Sequence, residues 1–262
     1  MSIRLEQIQK SFGDNDVLKG ISLTIEPGEV VALAGENGAG KSTLMKILSG
    51  ALRPDSGQIY VDEQQVTFHT PQDAMAYNIR MIYQEMNLMR DLTVAENLYL
   101  VDEKKRYGKF LSNKKRMLAD AKAFLADMGL EINPRVPVSQ LAVAEQQMVE
   151  ISKSLVKEVK LLIMDEPTAA LNKEETDRLF DQIRRLKNKG ISVIYISHRL
   201  DEIFELADRI VVLRDGQLVL EAPIGQVDQK QIVTSMVGKQ VDNFYPKELN
   251  TDPSVNRFIV KG

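Results

Sequence analysis

The sequence predicts an α/β fold with a mostly parallel central sheet, an antiparallel β subdomain and an inserted α-helical subdomain. Two apolar runs, at 30–34 and 161–164, have the length and composition of buried strands. A helical pattern follows each run, and this alternation is typical of a parallel sheet covered on both faces. Between about 91 and 158 the apolar residues take helical spacing instead, which indicates the insertion.

The N-terminal part of the chain alternates apolar and polar residues, as half-buried strands do. The residues from Phe12 to Asp16 are expected to form the turn region between the first two strands. The elements expected in this part are strands at 3–8, 21–25, 30–34, 58–62 and 80–83, and a helix from Lys41 to about Ser49.

The chain after residue 158 returns to alternating strands and helices. Asn172 and Glu175 have the spacing of a capping box, which predicts a helix start, and Gly190 marks the end of that helix. Asp215-Gly216 between two apolar runs predicts a hairpin. The elements expected here are strands at 161–164, 191–196, 210–213 and 218–220, a helix from 172 to 190 and a short helix ending at Ala207.

The inserted block carries apolar residues at helical spacing over 117–128, and Ser112 or Asn113 is expected to cap this helix. Two basic clusters, at 104–106 and 114–116, lie in the same block. Their simplest interpretation is a solvated helix face, and the alternative is contact with a partner protein or with lipid headgroups.

Composition argues against several classes of protein. The formal net charge is −3 over 262 residues, which gives no electrostatic case for binding nucleic acid. Cysteine is absent, so the chain has neither a disulfide framework nor a thiolate metal site. No apolar run approaches the ~18 residues that a membrane span needs, and the first residues have no signal-peptide pattern. We therefore expect a cytoplasmic protein that meets a membrane only through a partner.

A glycine-rich stretch after the strand at 30–34 has the phosphate-binding pattern G-x-x-x-x-G-K-[ST], which is typical of P-loop NTPases. Its glycines let backbone N–H groups turn inward around phosphate oxygens, and the next helix points its positive end at the same anion. Lys41 is placed to reach the β- and γ-phosphates, and the Ser42 hydroxyl to bind Mg²⁺. The alternative is a glycine-rich structural turn. The nucleotide-binding residues expected here are Gly35, Glu36, Asn37, Gly38, Ala39, Gly40, Lys41, Ser42 and Thr43.

Three other predicted strands end in polar residues that suit phosphate chemistry, and ligands of parallel sheets bind at this edge. Asp165 is suited to hold Mg²⁺, and Glu166 to activate the attacking water as a general base. His198 is suited to contact the γ-phosphate, and Gln84 to bind the metal or the attacking water. The structural alternatives are a turn cap for Asp165 and a satisfied structural imidazole for His198. If these strands are neighbours, the four residues converge on one phosphate.

These motifs in this order resemble the nucleotide-binding subunits of ABC transporters, over nearly the whole chain to about Gly238. The resemblance implies a domain that binds ATP and Mg²⁺ and hydrolyses ATP, with Phe12 stacking on adenine and Val17 beside it. It implies catalytic roles for Glu166, His198, Gln84 and Lys41, and metal ligands from Ser42, Gln84 and Asp165. The matching segments are Gly35–Thr43 (Walker A), Gln84 (Q-loop), Leu161–Glu166 (Walker B and catalytic Glu), Ala170–Asn172 (D-loop) and His198 (switch His).

Within the family, the likeness is to carbohydrate importers whose ATPase carries two such domains in one polypeptide. The segments that carry this likeness are 83–88, 146–151 and 196–202. The implied partners are a second nucleotide-binding domain, transmembrane permease subunits and, indirectly, a periplasmic or extracellular solute-binding protein. These partners imply a peripheral position on the inner face of the cell membrane.

The likeness also implies that this chain is the first half of such a polypeptide. The ATP-binding domain is then expected at 1–240, and a linker with the start of a second domain at 241–262. Residues 256–262 resemble the opening strand at 2–8. The alternative is the short C-terminal tail of a complete subunit.

One motif departs from the family pattern. The family signature is L-S-G-G-Q, and the matching segment here is Leu141–Glu145, with Ala142 in place of the serine and Glu145 in place of the glutamine. In the family, ATP lies between the Walker A of one domain and the signature of the other. The resemblance therefore implies a weaker opposite site, because losing one charge-assisted hydrogen bond costs about 1.5–3 kcal/mol.

Other functions remain open at this point. A soluble ABC-type ATPase of translation or DNA repair shares the nucleotide motifs, although the acidic balance and the importer-like segments argue against it. A non-hydrolysing regulatory ATP-binding module fits the altered signature but not the intact Glu166 and His198. The transported solute is not encoded in this domain.

Overall fold

A computed structural model describes residues 1–83, 86–99 and 114–238 of the chain. The strands are β1 (Ile3–Phe12), β2 (Asn15–Ile25), β3 (Val30–Ala34), β4 (Ser56–Val61), β5 (Gln64–Val66), β6 (Ile79–Ile82), β7 (Leu161–Asp165), β8 (Ser192–Ile196), β9 (Arg209–Arg214) and β10 (Gln217–Pro223). The helices are α1 (Lys41–Leu48), α2 (Pro71–Ala76), α3 (Val94–Tyr99), α4 (Lys114–Asp127), α5 (Val143–Leu155), α6 (Lys173–Asn188), α7 (Leu200–Leu206) and α8 (Gln229–Val237).

The central sheet has six strands in the order β10-β9-β3-β8-β7-β6. The neighbouring pairs from β9 through to β6 are parallel, and only the edge strand β10 pairs antiparallel, with β9. The predicted hairpin is confirmed, because Asp215 and Gly216 take the left-handed conformation that its two-residue turn requires. This arrangement confirms the predicted α/β fold with a mostly parallel sheet.

The N-terminal strands form a separate antiparallel sheet in the order β2-β1-β4-β5. Phe12 pairs with Asn15, so the turn between β1 and β2 consists of only Gly13 and Asp14. The expected turn region from Phe12 to Asp16 was therefore too wide. The inward side chains of β1, such as Leu5 and Ile8, are fully buried against the central sheet and α1.

Helices cover both faces of the central sheet, as the all-apolar strands predicted. On one face, Leu44 and Ile47 of α1 pack against the antiparallel sheet and β3. On the other face, α6 packs against β7 and β8, where Phe180 and Tyr195 meet edge to face at 6.1 Å between ring centroids. Removing a buried side chain of this size costs about 3–5 kcal/mol. Burial on both faces fixes the strand ends that carry the polar residues.

Three helices form a cluster of their own beside the sheet. Val94 and Leu98 of α3 pack against Met117 and Leu125 of α4 and Val149 of α5. This cluster confirms an inserted helical subdomain. The predicted cap at Ser112 or Asn113 and the basic cluster at 104–106 lie outside the described residues.

Outside the predicted helical insertion, two helices were not predicted from the sequence, α2 and α8. Both begin at a capping box, in which Asp73 accepts a hydrogen bond from the Thr70 N–H, and Asp228 accepts one from the N–H of Gln231. The predicted capping box of α6 is confirmed: Asn172 Oδ1 accepts from the Glu175 N–H at 3.0 Å.

No helix in the described part of the chain is long and apolar enough to cross a lipid bilayer. The predicted linker and second-domain start at 241–262 lie outside the described residues, and the boundaries at 1–240 and about 91–158 remain predictions.

Candidate nucleotide-binding site

The strand order brings the predicted site residues to one edge of the sheet. β3, β8, β7 and β6 are consecutive neighbours, and parallel strands present their carboxyl ends at the same edge. The glycine-rich loop follows β3, His198 follows β8, and Asp165 ends β7. β6 ends two residues before Gln84, which lies outside the described residues.

The glycine-rich loop has a backbone that only glycine accommodates at its critical points. Gly40 has a φ of 100°, and a Cβ there would lie 2.6 Å from Leu18 Cδ2 and 2.9 Å from Val17 O. A Cβ on Gly35 would overlap the carbonyl oxygen of Leu213. The close packing of the loop against β2 and β9 therefore excludes larger residues. Ala39 is buried beneath the loop, while the stretch 36–38 is exposed to the cleft.

The first turn of α1 follows the loop directly and is open to an anion. Its N-cap is Gly40, no side chain caps it, and the first turn has no acidic residue. The first N–H groups of a helix have no acceptor within the helix, and the helix dipole makes this end positive. Lys41 lies across the loop, where Nζ donates to Gly35 O at 2.8 Å and to Glu36 O at 3.0 Å.

Glu166 and His198 meet at the ends of the neighbouring strands β7 and β8. His198 Nδ1 lies 3.1 Å from Glu166 Oε1, and because a carboxylate only accepts, the imidazole donates. Glu166 has a left-handed backbone with a φ of 46°, which is rare outside glycine and is found at functional sites. Its N–H donates to Ile196 O at 3.0 Å, so the main chain also ties the two strand ends together.

The charges of the site shift one another's pKa. Burial raises the pKa of the Asp165 carboxyl, the negative charge of Glu166 raises it further, and Lys41 and Lys46 oppose the shift. Burial lowers the pKa of the Lys41 ammonium, against the attraction of Glu166 and Asp165. No described residue donates a hydrogen bond to the Asp165 side chain. A half-buried carboxylate without a donor is suited to a cation.

These residues line one cleft of about 980 Å³. Most of the predicted residues border it, including Val17 on the wall, and Ala39 is buried under the loop. Phe12 does not line the cleft; its ring is 52% exposed, with Lys10 Nζ 5.6 Å from the ring centroid. Two lining residues were missed, Asn15 at the start of β2 and Met236 in α8. No local pattern marks either one, because only the tertiary fold brings them to the cleft.

The altered signature segment lies at the start of α5, away from this cleft. Ala142 is the N-cap of the helix and has no hydroxyl to offer. The Glu145 carboxylate turns back and accepts a hydrogen bond from the Ala142 N–H at 3.0 Å. The negative charge of Glu145 therefore lies at the helix end of its own chain, where it satisfies one N–H.

Comparison with known proteins gives ribose importers as relatives. The chain is 48% identical over 247 residues to the ribose import ATP-binding protein RbsA of Lacticaseibacillus paracasei, covering 94% of this chain and 49% of that protein. It is 46% identical over 246 residues to the ribose import ATP-binding protein RbsA 2 of Streptomyces avermitilis, covering 94% and 48%. The chain thus spans about half the length of the curated relatives it matches.

Solved structures of ATP-binding cassettes have the same fold. The ADP conformation of an ATP-binding cassette of an ABC transporter superposes with a TM-score of 0.80 at 28% identity, covering 91% of this chain and 100% of that one. A nucleotide-free cassette from an ABC transporter superposes with a TM-score of 0.77 at 27% identity, covering 91% and 96%. The sequence profile described as ABC transporter matches residues 18–169, more than half of the chain. The chain belongs to the ABC transporter family.

Proposed function

We propose that this chain is an ATP-binding and ATP-hydrolysing domain that powers import of a small solute, a sugar, through partner membrane subunits. The observation that carries the proposal is the convergence of Lys41, Asp165, Glu166 and His198 on one cleft at the ends of adjacent parallel strands. An open helix N terminus at the same cleft supplies the anion site that a triphosphate needs.

The strand order sets the direction in which a nucleotide would lie. The polyphosphate would follow the edge from β3 towards β8 and β7, where Glu166 and His198 lie. The base would then lie at the opposite end, beside Asn15, Val17 and Met236. Phe12 would stack on the outer face of the adenine, since it is opposite Asn15 across the hairpin and has an exposed ring.

The residues present fit a magnesium ion. The Ser42 hydroxyl and the Asp165 carboxylate are hard oxygen donors, and the carboxylate has a raised pKa and no hydrogen-bond donor among the described residues. Gln84 would contribute its amide oxygen. When bound, Mg²⁺ neutralises phosphate charge, and the protein side chains hold and orient the phosphates.

Glu166 would act as the general base that accepts a proton from the attacking water. The contact with His198 at 3.1 Å keeps its carboxylate at the phosphate end of the cleft. His198 would hold the γ-phosphate and the water in line, and Lys41 would exchange its loop carbonyls for the β- and γ-phosphate oxygens. A positioned general base contributes typically about 10²–10⁴-fold to the rate.

The proposed partners follow from the relatives' names and lengths. We propose a second ATP-binding domain, permease subunits in the membrane and a solute-binding protein outside it. The chain would then work in the cytoplasm against the inner face of the membrane. Ribose is the sugar named in the relatives, and the selectivity itself would lie in the other subunits.

The test is Mg-ATP turnover by this chain over a range of protein concentrations, compared with Glu166→Gln. We expect hydrolysis to rise more than linearly with concentration, because pairing of domains is proposed, and to fall about 10²–10⁴-fold in the variant. Glu174→Gln, at an exposed position in the first turn of α6, is the matched control and should leave turnover unchanged. Full activity in Glu166→Gln would contradict the proposed base.

One observation favours a second function, a regulatory domain that binds ATP without hydrolysing it. The Glu145 carboxylate already accepts one N–H at the helix end of the altered signature and places a negative charge there. Tight ATP binding with no turnover, unchanged after the second half of the protein is added, would support this alternative over the first.

A further inference from the structure

A buried carboxylate outside the nucleotide cleft connects the two loops that carry Glu166 and His198. Glu202 lies in the first turn of α7 and is 2% exposed. Its Oε2 accepts three hydrogen bonds, from Thr168 Oγ1 at 2.9 Å, Tyr195 Oη at 2.7 Å and Ser197 Oγ at 2.9 Å. Arg199 Nη1 lies 2.7 Å from the other oxygen.

Two of the residues that donate to Glu202 are close in the chain to the proposed active-site residues. Thr168 lies two residues after Glu166, and Ser197 lies immediately before His198. Ser197 Oγ also accepts the Arg199 N–H at 3.0 Å, which fixes the main chain on the other side of His198. One carboxylate oxygen therefore holds the chain beside both residues of the proposed active site.

A charge this deeply buried is expensive unless it is paired and fully hydrogen-bonded. The three hydroxyls satisfy Oε2, and Oε1 accepts no hydrogen bond from the described residues but is ion-paired with Arg199 Nη1. Burial together with the contact to Glu202 raises the pKa of Tyr195, which keeps the phenol in the donating form. Hydroxyls can turn to either role, so the negative charge of Glu202 also fixes their direction. A neutral side chain of the same size would lose that control.

We propose that Glu202 is a positioning residue that holds the Glu166 loop and the His198 loop in register. The inference rests on the proposed function, since it concerns how the base and the histidine are aligned. Glu202 does not line the nucleotide cleft, so it acts through Thr168 and Ser197. The phosphate loop is held separately, by its packing against β2 and β9.

Because the phosphate loop is held separately, we expect replacement of Glu202 to lower kcat without a comparable loss of affinity for ATP. Glu202→Gln should lower kcat about 10²-fold, because misplacement of a catalytic group by about 1 Å has an effect of that size. The affinity for ATP should change less than about 2-fold, because Lys41 and the loop are untouched. Glu205→Gln is the control: it is on the same helix but forms exposed ion pairs with Lys173 and Arg184.

A second measurement needs no turnover. The chain has two histidines, so the NMR signals of the His198 ring can be separated from those of His69. We expect Glu202→Gln and Glu166→Gln each to move the His198 signals and leave those of His69 in place. Ser197→Ala, which removes one of the three donors, should move them by less and serves if Glu202→Gln does not fold.

The outcomes separate this inference from the proposed function. Unchanged His198 signals and kcat in Glu202→Gln and Ser197→Ala, with turnover abolished by Glu166→Gln, would overturn the role of Glu202 alone. Equal losses of kcat and ATP affinity would show a merely structural residue and would also overturn it. Turnover that survives Glu166→Gln would instead overturn the proposed base.

Discussion

The N termini of α1 and α5 are chemically opposite. α1 begins after Gly40, has no side-chain cap and carries no acidic residue in its first turn. α5 begins after Ala142, and its own Glu145 accepts the first N–H at 3.0 Å. Both helix ends have the same unsatisfied backbone groups and the same positive dipole. One end is left open to the cleft, and at the other a carboxylate of the same chain accepts the N–H of the N-cap residue.

The difference shows how a helix end becomes a binding site or a structural one. An end without a cap is less stable when empty and gains free energy when an anion arrives. An end where a carboxylate of the same chain accepts one N–H has already gained part of that free energy and repels a second anion. Glycine at 40 and glutamate at 145 therefore assign the two ends to different uses.

The largest expected effect comes from placing a carboxylate at the N terminus of α1, as Glu145 does at the N terminus of α5. Thr43 stands three residues after Gly40, as Glu145 stands three residues after Ala142. Thr43→Glu should weaken ATP binding by about 100-fold or more, because a like charge against the phosphates costs several kcal/mol. Equilibrium titration with nucleotide measures the loss.

The matched control for this change is Thr43→Gln, which has the same size without the charge and should lose much less affinity. Without nucleotide, Thr43→Glu should also raise the stability by about 0.3–1 kcal/mol, because the carboxylate fills the empty helix end. Equal loss of affinity in both variants would mean that size, and not charge, keeps this end open.

The second effect is a pH dependence of nucleotide affinity, which we expect at the cleft beside the N terminus of α1 and not at the N terminus of α5. Burial, and then the charge of Glu166, raise the pKa of Asp165, so this carboxyl takes up a proton at a higher pH than in the unfolded chain. Mg²⁺-dependent nucleotide affinity should fall about tenfold per pH unit once the pH drops below that pKa. Glu166→Gln should move the midpoint to lower pH, and Asp165→Asn should remove this component.

The same shift has a consequence for stability with a definite sign. A carboxyl whose pKa is higher in the folded state stabilises the fold below its unfolded pKa, and this stabilisation is lost as the pH rises through the folded value. Asp165→Asn should therefore raise the melting temperature of the nucleotide-free chain at neutral pH. A shift of about 2–4 °C corresponds to about 1 kcal/mol. A lower melting temperature in this variant would contradict the unpaired carboxylate.

The open end could be predicted from the sequence, and so could much of the fold. Its signals are local: an apolar strand, glycines where φ is positive, and Lys41 at the first helical position. Asp165 and His198 were predictable for the same reason, since each follows an apolar strand whose end is marked by composition. Their meeting depended on strand order, which the sequence allowed but did not determine.

The self-capped end was harder to predict. The N-cap residue of a full capping box has a side chain that accepts a hydrogen bond, which Ala142 lacks, so the sequence does not mark the half of the box that Glu145 still forms. Glu202 was missed because Asp201-Glu202 looks like an exposed acidic pair, and only the fold buries the second residue among hydroxyls. Met236 was missed because α8 has no strong apolar face and reaches the cleft only through its packing on β9.

The smallest expected effects come from changing the residues that cap the N terminus of α5. In this chain, Ala142→Ser should stabilise the fold by about 1 kcal/mol, because serine is a good N-cap, while Glu145→Gln should destabilise it by about 0.3–1 kcal/mol. Thermal melts measure both changes. In a protein that also carries the proposed second ATP-binding domain, we expect Ala142→Ser to raise the ATPase rate or the ATP affinity of the second site, by up to about tenfold for a new hydrogen bond to the γ-phosphate.

Ala142→Val separates the two causes of that gain, because it adds bulk at the same position without a hydroxyl and should raise neither quantity. Adding Glu145→Gln to Ala142→Ser should increase the gain further if the carboxylate repels the phosphate, even though the same change lowers the melting temperature. Adding Glu145→Gln should therefore raise the ATP affinity and lower the melting temperature, because it removes the carboxylate that caps the helix. If adding Glu145→Gln instead lowers both the affinity and the melting temperature, Glu145 supports this end as a ligand site, and the contrast with α1 fails.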